Sequence, residues 1–304
     1  MLPGRVPQGE VRMEIRELQM RTPDGRRLDI FDAGGAGQPV VLVHHGTPGA
    51  RLPYRGWLED AERKGIRLVG YSRPGYGGST RLRGRSVSQT PDDVLAIADH
   101  LQISQLATWG YSGGGPAALS CAARLPGLVV AAATIASPAP SDAEGLDFLE
   151  GMGQGNIDEF KTLLAGEDAA RAGYEEAAST PVSGVEEMIG SMSTLLSGPD
   201  LRATRDQLGE WLVALREEAC SHGPDGWLDD DLAFVLPWGF DLSEIRVPLQ
   251  LWQGQHDLMV PPGHGRWLAR HLPDAEWHYL PDEGHLTPLL RRVPEIHGWL
   301  RDHF

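Results

Sequence analysis

The sequence predicts an α/β fold, an open sheet of parallel strands with helices on both faces. Short apolar segments typical of buried strands alternate with segments of helical length. Connections of that length imply parallel pairing with right-handed crossovers. Three glycine-rich segments each begin where a predicted strand ends, and the ligand site of such a sheet lies at those carboxyl ends. We therefore expect the three segments to meet at one edge.

Six strands are predicted in the first half of the chain. The first two lie around a turn at residues 23–25, where Pro, Asp and Gly follow one another. The third, 39–43, is a continuous apolar run, which is expected of a strand buried on both faces. The six predicted strands cover residues 16–20, 28–31, 39–43, 66–71, 106–109 and 128–135.

Helical spacing of apolar residues predicts the connections between these strands. In the first helix, Trp57, Leu58 and Ala61 fall on one face. The predicted helices cover 53–64, 92–101 and 116–124. The strand pattern returns at 249–253 and 276–280, and a closing helix is predicted over 287–302.

Residues 139–240, which we call the helical insertion, contain no convincing strand. Helices are predicted there at 146–151, 157–165, 185–196 and 206–218, separated by Gly and Pro. The insertion follows the sixth strand and precedes the seventh. We therefore expect residues 1–138 and 241–304 to form the core, and the insertion to lie over the carboxyl edge as a cap.

The charge of the chain is concentrated in the helical insertion. The whole chain has 27 Lys and Arg against 42 Asp and Glu, a net charge of −15. The insertion alone holds 21 acidic and 5 basic side chains. Such a surface repels phosphate backbones and excludes a nucleic-acid partner. The carboxylates are interpreted as solvating the insertion, and they favour a neutral or cationic small-molecule substrate over an anionic one.

Further features bound the class of protein. No apolar run reaches the ~18 residues of a membrane-spanning helix, and residues 1–12 are polar, unlike a signal peptide. We therefore expect a cytoplasmic protein without a membrane partner. The two cysteines, Cys121 and Cys220, provide neither a disulfide framework nor a zinc site. The oligomeric state stays open.

The strongest chemical signal is Gly110-Tyr111-Ser112-Gly113-Gly114, which fits G-x-S-x-G. An apolar strand precedes it and a helix of small residues follows. A sharp strand-to-helix turn needs glycine at its flanks, because Cβ atoms would collide across it. Such a turn lifts the Ser112 hydroxyl from the sheet as a nucleophile. The alternative is a glycine-rich turn whose serine only caps the helix.

A serine nucleophile needs a base, and the base needs a carboxylate. His285 is the favoured base, since it follows the last predicted strand and Gly284 permits a tight turn there. His264 and His271 are interpreted as surface groups. Asp257, directly after the strand at 249–253, is favoured as the carboxylate, with Asp142 and Asp282 as rivals.

An oxyanion that develops on the substrate needs two backbone N–H donors. Gly113, directly after the nucleophile, supplies one at the start of a helix. Thr47, in the loop that follows the third strand, is expected to supply the other. His45 is interpreted as a structural residue that holds this loop by hydrogen bonds.

These segments together resemble the α/β-hydrolase superfamily with an inserted cap domain. The matching residues, in the family's order Ser, Asp, His, are His45-Gly46-Thr47-Pro48-Gly49, residues 71–79, Gly110-Tyr111-Ser112-Gly113-Gly114, Asp257 and Gly284-His285. The resemblance implies an eight-stranded, mostly parallel sheet. It also implies acyl transfer through a serine-bound intermediate, without a cofactor or a metal.

The subfamily is less defined than the superfamily. His45-Gly46-Thr47-Pro48-Gly49 is similar to the HGGPG segment of proline iminopeptidases, but the chain lacks their GGSWG motif. Ser112 excludes epoxide hydrolases and haloalkane dehalogenases, which have Asp there; cofactor-free haloperoxidases and carbon–carbon bond hydrolases stay open. We expect a serine hydrolase acting on a small ester, lactone or amide. The alternatives are an aminopeptidase similar to proline iminopeptidases and a ligand-binding receptor on a hydrolase scaffold.

Overall fold

The computed structural model describes residues 13–304, so the polar segment at residues 1–12 lies outside the described residues. Its centre is an eight-stranded sheet in the order β1-β2-β4-β3-β5-β6-β7-β8. The strands are β1 (Ile15–Arg21), β2 (Arg27–Ala33), β3 (Val40–His44), β4 (Arg67–Tyr71), β5 (Leu106–Tyr111), β6 (Val129–Ile135), β7 (Leu249–Gly254) and β8 (Glu276–Leu280). β2 pairs antiparallel with β1 and with β4, and the other neighbours are parallel. The prediction of an eight-stranded, mostly parallel sheet is confirmed.

Helices cover both faces of the sheet, as the sequence predicts. The core helices are α1 (Arg55–Lys64), α2 (Thr90–Leu101), α3 (Gly115–Arg124), α10 (Pro262–His271), α11 (Thr287–Arg291) and α12 (Val293–Arg301). Alternate residues of β3 face opposite sides of the sheet. Val41 and Val43 pack in one cluster with Trp57 of α1, while Leu42 packs in another with Ile97 of α2. The central strand is therefore buried on both faces.

All six helices between β6 and β7 belong to the helical insertion. They are α4 (Gln154–Leu164), α5 (Glu167–Ser179), α6 (Val185–Ser191), α7 (Gly198–Ala203), α8 (Gly209–Cys220) and α9 (Asp225–Val235). A π-helical segment, Thr204–Leu208, joins α7 to α8. The division into a core and a separate cap domain at residues 139–240 stays a prediction. Within residues 13–304, no helix combines the length and the apolar character needed to cross a bilayer.

Inside the insertion, one predicted helix is absent, and three helices, α5, α7 and α9, were not predicted. Residues 146–151 form turns, since Gly145 and Gly151 adopt positive φ at both ends and interrupt a helical backbone. Helix α5 was missed because it is rich in Ala and Glu, and only Ala170 and Tyr174 of it are buried. With so few large apolar residues it shows little helical periodicity.

The predicted closing helix at 287–302 is two helices, α11 and α12, which meet at Arg292. Pro294 lies in the first turn of α12. Because proline has no N–H, it cannot donate to the carbonyl four residues earlier, and α11 ends before it. The break separates the short helix that follows His285 from the long one that packs under the sheet.

Candidate active site

Ser112 lies on a sharp turn between β5 and α3, at the carboxyl edge of the sheet. Its φ of 52° is in the left-handed region, as expected for a serine raised above a strand-to-helix turn. A Cβ on Gly110 would lie 2.0 Å from the carbonyl oxygen of Gly114, and one on Gly114 would lie 2.2 Å from that of His44. Only glycine fits at both positions: Gly110 because of the predicted collision across the turn, and Gly114 because of a collision with the end of β3.

His285 and Asp257 meet in the interior of the protein. The His285 Nδ1 atom lies 2.8 Å from Oδ2 of Asp257, and both side chains are buried. The other carboxylate oxygen, Oδ1, accepts the backbone N–H groups of Met259 and Val260 at 2.9 and 2.8 Å. The rivals Asp142 and Asp282 are exposed. Of the three candidate carboxylates, the structure thus brings Asp257 to the histidine.

The groups around His285 raise its pKa. Burial lowers the pKa of His285, but the nearby negative charge of Asp257 and its hydrogen bond raise it, and Asp200 adds to the rise. The pKa of His285 is therefore above the ordinary histidine value. The Nδ1 atom is engaged with Asp257, which leaves Nε2 as the nitrogen able to exchange a proton.

Ser112, His285, Thr47 and Gly113 all line one cavity of about 410 Å³. Thr47 and Gly113 are in close contact, since a Cβ on Gly113 would lie 2.2 Å from Oγ1 of Thr47. The rest of the wall is mainly apolar and comes largely from the helical insertion. Its large apolar side chains include Phe148, Met152, Phe160, Met188, Met192, Leu195, Leu212, Leu215, Trp227, Phe234, Met259 and Leu286.

A buried carboxylate from α9, Asp230, ties the Thr47 loop to the insertion. Its Oδ2 atom accepts the Thr47 hydroxyl at 2.8 Å. It also forms ion pairs at 2.6 Å with Arg73 and with Arg85, which neutralise the buried charge. Burial raises the pKa of Asp230, but the two guanidinium groups lower it by more than burial raises it. The pKa of Asp230 is therefore below its ordinary value. Asp230 is therefore ionised, and the sequence analysis had not identified it.

His45 has the structural role that was predicted. Its Nδ1 atom lies 2.7 Å from the carbonyl oxygen of Gly46, and Nε2 accepts the backbone N–H of Arg73 at 3.0 Å. Burial lowers the pKa of His45 well below its usual range, and Arg73 lowers it further. A neutral imidazole with its proton on Nδ1 satisfies both contacts.

Two further carboxyl groups, those of Glu159 and Asp231, line the cavity. Asp231 is buried and its Oδ2 accepts the hydroxyl of Tyr174 at 2.8 Å. Burial raises the pKa of both acids, and repulsion from Glu159 adds to the rise for Asp231. Two such groups side by side favour a shared proton. The run Asp229-Asp230-Asp231 was the available sequence signal, but its carboxylates were counted with all those that were interpreted as solvating the insertion.

Comparison with known proteins places this geometry in a family. The family model for the alpha/beta hydrolase fold matches residues 39–291. The chain is 28% identical over 274 residues to the dihydrolipoyllysine-residue acetyltransferase component of an acetoin cleaving system from Pseudomonas putida. That match covers 87% of the chain but only 63% of the relative.

Two other relatives are covered almost completely. One is the pimeloyl-[acyl-carrier protein] methyl ester esterase of Chromobacterium violaceum, 28% identical over 275 residues, which are 88% of the chain and 95% of the relative. The other is the structure of a thermophilic esterase from Thermogutta terrifontis, with a TM-score of 0.68, 22% identity and coverage of 95% and 99% of the two chains. At that identity the structural likeness shows the fold alone. With five-sixths of its length matched by the family model, this chain belongs to the alpha/beta hydrolase family.

Proposed function

We propose that the protein is a serine hydrolase that cleaves a small ester, lactone or amide through an acyl-serine intermediate. The supporting observation is that Ser112 and the Asp257-bound His285 line one cavity with Thr47 and Gly113. A nucleophile, a base with its carboxylate, and two candidate oxyanion donors are the complete set that acyl transfer requires. The methyl ester esterase relative supports the ester as the first substrate class to test.

The proposed reaction has two halves. Ser112 Oγ attacks the carbonyl carbon while His285 Nε2 takes the hydroxyl proton, and Asp257 stabilises the resulting imidazolium. The Thr47 and Gly113 N–H groups hydrogen bond to the oxyanion. The carbon–leaving-group bond breaks, and His285 returns the proton to the departing alkoxide or amine. A water, deprotonated by His285, then releases the acid and restores Ser112.

The cavity supports a neutral substrate with an apolar acyl or alcohol group. Its wall is mainly apolar, so burial of an alkyl or aromatic group there is favourable. The acidity of the insertion adds a field that disfavours anions and admits cations. We therefore propose a neutral substrate first and a cationic one second.

The test is a screen of the purified protein across p-nitrophenyl esters of increasing acyl length, lactones and amino-acid amides. Ser112→Ala is the control variant for every active substrate. We expect ester turnover that falls by about 10³-fold or more in the variant with the fold retained. Equal turnover in the two proteins would overturn the proposal.

A second candidate is an aminopeptidase, which the Glu159–Asp231 pair favours. The ammonium group of a substrate would take the place of the proton that the two carboxyl groups share. Both carboxylates would then be ionised, and the single positive charge between them would offset their repulsion. The discriminating comparison is a prolyl amide against its N-acetylated form, with Glu159→Gln as the variant. A peptidase of this kind prefers the free amine, and Glu159→Gln reduces that preference. Equal rates for the two amides would exclude it.

A further inference from the structure

Asp200 is a fully buried carboxylate in the helical insertion to which neither the sequence nor the proposed reaction assigns a role. It lies in the short helix α7, 85 residues before His285 in sequence. Within residues 13–304, no Lys, Arg or His side chain forms an ion pair with it. A carboxylate kept from water needs hydrogen-bond partners, and Asp200 finds them in the loop that carries His285.

Four hydrogen bonds surround this carboxylate. Oδ2 accepts the backbone N–H of His285 at 2.8 Å and the hydroxyl of Ser197 at 2.8 Å. Oδ1 accepts the backbone N–H groups of Leu286 and Thr287 at 2.7 and 3.2 Å. Three consecutive N–H groups, two in the loop and one at the first residue of α11, therefore converge on one side chain. Hydrogen bonds to a charged acceptor are the stronger kind, and here they fix the backbone of His285 itself.

The glycine before His285 fits the same arrangement. A Cβ on Gly284 would lie 2.1 Å from Oδ2 of Asp200 and 2.4 Å from Oγ of Ser197. From the sequence, Gly284 was expected to permit a tight turn. The structure gives a different reason, since Gly284 leaves room for the carboxylate to reach the loop. Any side chain there would push Asp200 away from the N–H groups.

We propose that Asp200 is a positioning residue through which the helical insertion holds His285 in register with Asp257 and Ser112. This inference rests on the proposed function. His285 is held at two points. Asp257 binds the Nδ1 atom of its ring, and Asp200 accepts its backbone N–H. Because a displacement of about 1 Å at a reacting group costs about 10²-fold in rate, a loosened loop lowers kcat more than it raises KM.

Asp200 also acts on the charge of the imidazole. The acidic groups that act on the charge of His285 are Asp257, from the loop after β7, and Asp200, from α7. Glu283, on the same loop as His285, is paired with Arg292 at 2.6 Å. Glu159, Asp231 and Arg216 line the same cavity. The negative charge of Asp200 raises the pKa of His285. Removal of that charge therefore lowers the pKa of His285, even in the protein without substrate.

The experiment is an NMR titration of the His285 ring in the unliganded protein, combined with ester kinetics. Asp200→Asn is the variant, and Asp206→Asn, an exposed carboxylate of the same insertion, is the matched control. We expect Asp200→Asn to lower the pKa of His285 by about 0.5 pH unit or more. We expect kcat to fall by about 10- to 100-fold with KM within about threefold. The control leaves both quantities unchanged.

A folded Asp200→Asn protein with the parental pKa of His285 and parental kcat overturns the inference. If Asp200→Asn does not fold, Gly284→Ala decides, since it keeps the carboxylate but displaces it. Parental kcat in Gly284→Ala would also contradict the inference. The titration needs no turnover. A protein that hydrolyses none of the esters, lactones and amides of the screen would refute the proposed function, while the titration would still test Asp200.

Discussion

The Nδ1 atom of His285 lies 2.8 Å from Oδ2 of Asp257, across 28 residues of sequence and in a buried environment. Asp257 is itself held by Met259, Val260 and Gln253, so the carboxylate cannot rotate away from the imidazole. The contact fixes which nitrogen carries a proton in the neutral ring. It is the relationship on which the proposed chemistry depends.

Asp257→Asn is expected to lower kcat by about 10³- to 10⁴-fold, because the amide favours the wrong tautomer of His285 and cannot stabilise the imidazolium. The measurement is steady-state hydrolysis of the best ester found by the screen. Asp282→Asn, an exposed carboxylate three residues from His285, is the control and should retain parental rates. Similar losses in both variants would contradict the assignment of Asp257.

The pH dependence of kcat/KM follows from the direction of the His285 shift. The base must be neutral to accept the Ser112 proton, and its pKa is raised. Activity is therefore lost as the pH falls through a value above the ordinary histidine pKa of about 6.5. Asp257→Asn should move this acid limb to lower pH. An acid limb at or below the ordinary histidine pKa of about 6.5 in the parent would contradict the raised pKa.

Gly113→Ala is expected to reduce kcat by about 10²-fold or more with little change of substrate affinity. The added Cβ would lie 2.2 Å from Oγ1 of Thr47, so the two candidate oxyanion donors must separate. Gly127→Ala is the matched control, since its added Cβ meets no atom within 4 Å. Parental kcat in a folded Gly113→Ala protein would exclude an oxyanion site at these residues.

Asp230→Asn is expected to destabilise the protein by about 3 kcal/mol or more, because it leaves Arg73 and Arg85 buried without a counter-charge. Urea unfolding of the variant, with Asp206→Asn as the exposed control, measures the change.

In the parent, the depressed pKa of Asp230 contributes stability above the unfolded pKa of about 3.9. That contribution is lost as the pH falls through the folded pKa, so the difference between variant and parent narrows in acid. The account would be contradicted if the difference in unfolding free energy between parent and variant stayed constant down to about pH 3. At that pH Asp230 should be ionised in the folded parent but largely protonated in its unfolded chain.

The sheet could be predicted because its strands are short apolar runs between polar breaks. In β3 every residue is buried, which makes the run unambiguous. The helical insertion offered less, since α5 packs through Ala170 and Tyr174 and gives a weak periodic pattern. Where apolar periodicity is weak, the local sequence does not show that a helix is present, because these helices are stabilised by contacts that form only in the folded chain.

Ser112 was predictable because it lies in a short motif with local steric needs, and His285 because it lies on the loop that follows the last strand. Asp200 and Asp230 were not, since the loops that they hold are 85 or more residues away in sequence. A count of acidic residues does not separate solvated carboxylates from buried ones. His264 illustrates the same limit, because it was interpreted as a surface group. In the structure it is buried between the backbone of Ala139 and Phe148.

The central claim is that the substrate acyl group is transferred to Ser112. A rapid-mixing measurement with a p-nitrophenyl ester, followed by acid quench and peptide mass mapping, tests it most directly. The account predicts a burst of about one p-nitrophenolate per active chain. It also predicts an acyl adduct on the peptide that contains Ser112, and neither signal in Ser112→Ala. An adduct on another residue, or full ester turnover by Ser112→Ala, would contradict it.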